Sequence, residues 1–204
     1  MHKTVYTIGH SNHSFEEFLR CLTAHGVGAI VDVRSRPYSR YNPQFDRETL
    51  RSSLKAAGIE YVFLGDSLGA RSETPSCYEN GKVRYDRLAQ TEAFRSGLAR
   101  VAKGAERYRL CLMCAEKEPE ECHRTILVSR HLQEMGFPVQ HILADASLRT
   151  QNEVVEALMT RFDLRQNELH LFRSEADLLD DAYRLQEARI AYEMAEEKPD
   201  ASAA

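Results

Sequence analysis

The chain has 204 residues, 28% of them charged and 43% apolar, and a net charge of −4. That length holds one sizeable core with room for an appendage, and the acidic balance excludes a protein that coats nucleic acid through overall charge, though not a local basic cleft. No apolar run approaches the roughly 20 residues that span a bilayer, and the N-terminal MHKTVYTIGHSN lacks the features of a secretory signal, so a soluble, cytoplasmic protein without membrane contact is expected.

Apolar runs then alternate with amphipathic stretches. TVYTIG (4–9) reads as a strand. Ser14 and Glu17 have capping-box spacing, and Phe15, Phe18, Leu19 and Leu22 follow at helical spacing as far as Gly26. AIVDV (29–33) is a second, β-branched strand. The two prolines of RPYSRYNPQF mark a loop, and Asp46 is placed to cap a helix carrying Leu50 and Leu54 that stops at Gly58. YVFLG (61–65) is a third strand. Residues 66–84 read as a loop long enough to be functional. A helix is expected from Tyr85 to Glu106, a fourth strand at 109–115, a helix from Pro119 to Met135 and a fifth strand at 138–143. Beyond Asp145 only helices are expected. These are 152–159 and a long one capped by Ser174, with Leu178, Ala182, Leu185, Ala188 and Tyr192 as its stripe.

Strict alternation of strand and helix predicts an α/β fold. It is a mainly parallel five-stranded sheet with helices on both faces, a three-layer sandwich over 1–150. A helical extension (151–197) and a disordered tail (198–204) complete the expected organisation. The amphipathic helix of the extension must cover something, either its own domain or a second copy as a homodimer.

In such a sheet, ligands bind beyond the carboxyl ends of the strands. The segments there carry His10, Ser11, Arg34, Arg36, Arg40, Arg71, Lys117, His123 and Arg124, a set suited to an anion such as a phosphate ester. His10, directly at a strand end, and Glu116, just past another, are candidates for proton transfer. Asp32 and Arg34 share a strand face, where the carboxylate either orients the arginine or contacts ligand.

Five cysteines, Cys21, Cys77, Cys111, Cys114 and Cys122, do not read as a disulfide framework. Cys111 and Cys114 match a zinc spacing superficially, but on a strand they point to opposite faces, so Cys111 is a core residue. Cys114, Cys122 and His123 form a different set. Pro119 fits the first position of a helix, which puts Cys122 and His123 in its first turns. There they serve as metal ligands lacking an evident fourth, with His10 as a possible extra, as an activated thiol, or as packing beside acids that stabilise the helix start.

Several motifs together resemble one family: Thr7-Ile-Gly-His-Ser11, Asp32-Val-Arg34, Pro37-Tyr-Ser39 with Phe45, Leu64…Leu68-Gly69…Arg71, Cys114-Ala-Glu116…Cys122-His-Arg124, and His141-Ile142. The set resembles the bacterial DUF488 family over about residues 4–150. The resemblance implies an α/β sandwich with its shared polar residues on one rim, and suggests a nucleotide- or nucleic-acid-related role without supplying a reaction. Gly69-Ala70 stands where that family often has two glycines, and 146–151 lacks its glycine and histidine, so the resemblance carries no histidine role beyond the fifth strand over to this chain.

The expectation is therefore an α/β protein that binds or processes a phosphate-bearing ligand, a nucleotide or nucleic acid, at this rim. His10, Glu116, Cys114 and Cys122 are its candidate catalytic groups. Ser11, Asp32, Arg34, Arg36, Arg71, Lys117, His123 and Arg124 are its candidate ligand contacts. No cofactor is named and no metal is assigned. A non-catalytic nucleic-acid-binding module, and a metal or thiol-redox site at Cys114, Cys122 and His123, are the alternatives.

Overall fold

The computed structural model describes residues 3–165 and 172–194. Six strands make one sheet: β1 (Val5–Gly9), β2 (Ala29–Asp32), β3 (Glu60–Phe63), β6 (Leu110–Cys114), β7 (Val139–Ile142) and β8 (Leu148–Thr150). Their order is β3-β2-β6-β1-β7-β8, and every pairing is parallel except β7 with β8. Register aligns the strand ends: Gly9 pairs with Cys114, and Asp32 with both Met113 and Phe63. The segments that follow four strands therefore leave from one rim.

The two faces bury different residues, as strand alternation requires. Ile8, Ile30, Cys111 and Met113 pack under α1 (Phe15–Ala24) and α2 (Arg47–Ala56). Val31, Leu110, Leu112 and Cys114 face the opposite layer. That layer contains α5 (Glu92–Arg107), α7 (Gln151–Arg161) and α8 (Glu175–Ile190). The extension thus shares the main core: Leu178 and Ala182 of the expected α8 stripe are buried there together with Tyr183, while Leu185 and Tyr192 are half-buried and Ala188 is exposed.

Several helix signals operate as read. Ser14 and Glu17 cap α1 reciprocally, Ser174 and Asp177 do the same for α8, and Gly26 takes φ 61° beyond α1. Asp46 precedes α2 but does not cap it, because its Oδ1 accepts the Ser39 amide at 2.8 Å and pins the rim loop instead. The expected helix 85–106 is two, α4 (Tyr85–Ala89) and α5, because Thr91 restarts the chain by accepting the Phe94 amide. The expected loop 66–84 contains α3 (Gly65–Leu68), a 3-10 turn at Pro75–Cys77, and a hairpin of β4 (Tyr78–Glu79) and β5 (Lys82–Val83).

Two further differences matter. Past Asp145 comes the sixth strand, β8, returned by a tight turn in which Asp145 Oδ1 accepts from the amide and hydroxyl of Ser147. The expected helix from Pro119 becomes a 3-10 turn (Pro119–Glu121), an extended Cys122 (φ −135°, ψ 138°), a π-helical segment (Arg124–Ser129) and α6 (Arg130–Glu134). The expected tail at 198–204 lies outside the described residues. Among the described residues, no helix is long and apolar enough to cross a membrane.

Candidate functional site

The loop after β6 crosses the end of β1 at van der Waals limit. A β-carbon on Gly9 would lie 1.8 Å from the Glu116 carbonyl oxygen, so only glycine permits the crossing. Backbone bonds from His10 N to Cys114 O and from Ser11 N to Ala115 O, both 2.9 Å, zip the two segments together. Ser11 adopts φ 49° to make the turn. His10, Arg34, Cys114 and Arg124 thus meet at one place, as the topology demands.

Their roles divide. Asp32 holds Arg34 bidentately, at 2.9 Å to Nε and 2.7 Å to Nη2, and takes a third bond from the Tyr61 hydroxyl at 2.8 Å. Arg34 also donates to Phe45 O at 2.8 Å and to His10 Nε2 at 3.1 Å. That bond makes Nε2 an acceptor, so the proton of His10 lies on Nδ1, which donates to Ser11 O at 2.8 Å. The ring stacks on Phe45 at 4.3 Å. Burial, and then the Arg34 charge, push the His10 pKa down to about 4. Both ring nitrogens are occupied and the ring is neutral, so His10 fixes Arg34 rather than standing ready to shuttle a proton.

Arg124 is also occupied. Fully buried, it donates to the carbonyls of Glu116 at 2.7 Å and Lys117 at 3.2 Å, and to Thr7 Oγ1 at 3.3 Å. It is the peg that shapes the loop after β6. The Lys117 side chain is exposed and lies 3.7 Å from Glu118.

A polar chain leads inward from Arg124. Thr7 donates to His141 Nδ1 at 2.7 Å, His141 Nε2 donates to Gln151 Oε1 at 2.9 Å, and Gln151 Nε2 donates to the Tyr183 hydroxyl at 3.0 Å. All donors run in one direction, which requires neutral His141. Burial and the Arg124 charge push its pKa down to about 3 from 6.5. The folded state refuses a proton that the unfolded chain accepts, so this contribution is complete above pH 6.5 and is lost as pH falls below it. At about pH 4.5 the loss from His141 is about 2–3 kcal/mol. In urea melts between pH 6.5 and pH 4.5 the wild type should lose about this much more stability than His141→Gln, and equal losses would refute the neutral assignment.

Beside Arg124 lies the sulfur cluster. Cys114 Sγ is 3.6 Å from His123 Nδ1, Cys122 Sγ is 3.9 Å from the same nitrogen, and Cys122 Sγ is 2.9 Å from Glu116 Oε2. His123 Nε2 donates to Val33 O at 3.0 Å. Burial pushes the Cys114 thiol up, and the Cys122 sulfur adds to it. Burial, the largest single influence on Cys122, would also raise it, but the Cys114 hydrogen bond, the Arg124 charge and His123 together hold it well below the usual thiol range. Burial would lower His123, yet Cys122 and Glu116 raise it, while burial and then Cys122 raise Glu116. Cys114, Cys122 and His123 are buried, whereas Glu116 is exposed on the rim side as a residue, with its carboxylate turned in against Cys122 and partly desolvated there. Cys111 sits in the other core layer.

Open space borders both groups. A cavity of about 300 Å³ is lined by Arg36, Arg71, Tyr85, Cys114, Glu116 and His123, among others. One of about 360 Å³ is lined by His10, Ser11, Asn12, Arg36, Tyr38 and Ser39, among others. A third of about 540 Å³ adjoins Arg36, Arg71 and Tyr192. Arg36 borders all three and, among the described residues, makes no hydrogen bond or ion pair. Arg71 stacks on Tyr192 at 4.1 Å, and its amide donates to Ser35 Oγ at 3.0 Å. Tyr85 is buried, and its hydroxyl has no partner. Sequence reasoning passed over Tyr85 and Tyr192, because an aromatic beginning one helix and another following the last reads as packing.

A search of the curated proteins and one of the solved structures gave no significant match. The family described as domain of unknown function DUF488 matches residues 14–131, more than half of the chain and the span that holds Arg34, Glu116 and the sulfur cluster. The chain belongs to the DUF488 family.

Proposed function

We propose that the rim groove binds a phosphate-bearing ligand, a nucleotide or a nucleic-acid end, gripped by Arg36 and Arg71. The observation that carries this reading is the 300 Å³ cavity whose lining includes Arg36, Arg71 and Tyr85, the last with a buried hydroxyl that has no partner. A buried hydroxyl without a partner costs about 1–3 kcal/mol, a cost that a ligand oxygen removes. Arg34 and Arg124 play supporting parts, because their donors are largely spent on protein groups. Tyr38 borders the groove 66% exposed, and Tyr41 nearby in sequence is 86% exposed, offering aromatic faces on which a base can stack. Glu121, which also lines the cavity, is neutralised by Arg161 at 2.6 Å. Cys114 and Glu116 line the same cavity.

Thermal melts with inorganic phosphate, mononucleotides and short single-stranded oligonucleotides test this. A bound ligand at 100 times its Kd stabilises by about 2.7 kcal/mol, a rise of roughly 5–10 °C for a domain of this size. Arg36→Ala and Arg71→Ala should each abolish the rise with little effect on the unliganded melt, because both side chains are exposed. A melt unchanged across the panel would refute the reading. Affinity confined to oligonucleotides and falling steeply with salt would instead identify a nucleic-acid-binding module.

A further inference from the structure

We propose that Cys114, Glu116, Cys122 and His123 form a four-ligand site for a divalent, thiophilic metal ion, with zinc the best fit. One potential ligand atom from each of the four residues lies within 4.8 Å of all the others. A tetrahedral zinc with bonds of about 2.3 Å to sulfur and about 2.05 Å to nitrogen has sulfur–nitrogen edges of about 3.6 Å. The two such edges here are 3.6 and 3.9 Å. The sulfur–oxygen edge, 2.9 Å, need only open by rotation of Glu116, the one exposed member.

The surroundings are those of a built site. His123 donates its other ring nitrogen to Val33 O at 3.0 Å, which fixes the ring and turns the Nδ1 lone pair toward both sulfurs. The Arg124 amide lies 3.4 Å from Cys122 Sγ, a donor to a thiolate. The Arg124 guanidinium, buried alongside, offsets the negative charge that two thiolates and a carboxylate would leave on a divalent ion. Two sulfurs, an imidazole and a carboxylate in tetrahedral proportion favour zinc over the hard cations, which take oxygen shells.

The chain makes this geometry by leaving the helix at Cys122. Adjacent residues on an α-helix diverge by about 100°, but Cys122 is extended and His123 begins the next turn, so both side chains reach the same point. Cys114 and Glu116, two apart at the end of β6, supply the other half. Glu116 is the fourth ligand not evident in the sequence, and His10, considered there as an extra, is held away by Arg34 and Ser11.

The inference stands apart from the anion reading, since metal binding needs neither Arg36 nor Arg71. Protein purified under reducing conditions should contain one zinc ion per chain by elemental analysis. After chelation, cobalt(II) should bind with thiolate-to-cobalt charge-transfer bands and the intense visible absorption of a tetrahedral centre. Cys122→Ser should weaken zinc binding by at least about 100-fold. Should that variant fail to fold, Glu116→Gln, at the exposed ligand, should keep the melt and the charge-transfer bands while weakening zinc by about 10-fold and altering the visible envelope. Cobalt bound without charge transfer, unchanged zinc affinity in Cys122→Ser, no response to Glu116→Gln, or a metal-free protein with both cluster cysteines reduced would each overturn the proposal.

Discussion

Replacing Arg124 by alanine is expected to lower the melting temperature by roughly 10 °C, corresponding to about 3–5 kcal/mol. Among the described residues, the side chain is the largest fully buried one. Its removal strips donors from the carbonyls of Glu116 and Lys117 and from Thr7, and leaves a cavity between β1 and the π-helical segment. Arg124→Met isolates the polar part, because it refills most of the volume without supplying a donor. Arg124→Met should recover less than half of the loss. If it restored full stability, the arginine would be filler and the loop after β6 would owe its shape to something else.

Asp32→Ala should be nearly as costly, about 3–5 kcal/mol, because it leaves Arg34 charged and unpaired at 5% exposure and deprives the Tyr61 hydroxyl of its acceptor. Asp32→Asn should cost less, since it retains an acceptor for Arg34. The diagnostic case is the double replacement of Asp32 by leucine and Arg34 by methionine. When both charges leave together no buried ion is orphaned, and the double variant should be more stable than Asp32→Ala alone. Chemical denaturation of the three variants measures this. A loss below about 1 kcal/mol in Asp32→Ala would mean that the pair is solvated and does not fix Arg34.

The parallel order of the sheet was legible because its strands are short, apolar and separated by helix-period segments, and burial on both faces leaves such a pattern. The rim followed from topology alone: once the strands run parallel, His10, Arg34 and Cys114 must share an edge. What stayed hidden depends on tertiary partners. Arg34 and Arg124 look like free cations in the sequence, and only the folded chain reveals the carboxylate and the carbonyls that occupy them. The extended Cys122 was hidden because Pro119 and three glutamates are the composition of a helix start, while the chain spends that signal on a single 3-10 turn. The strand β8 was hidden because three residues after an Asp-Ala-Ser turn carry no period. The break at Thr91 was legible in principle, as a threonine followed by an acid, but a continuous helix accommodated it equally well.

The family match ends at residue 131, yet Ile190 and Tyr192 form part of the wall of the 300 Å³ cavity, and Tyr192 stacks with Arg71. One side of the groove is therefore furnished by chain beyond the matched segment. A change in C-terminal sequence can thus reshape that wall without touching the sulfur cluster or the buried arginines.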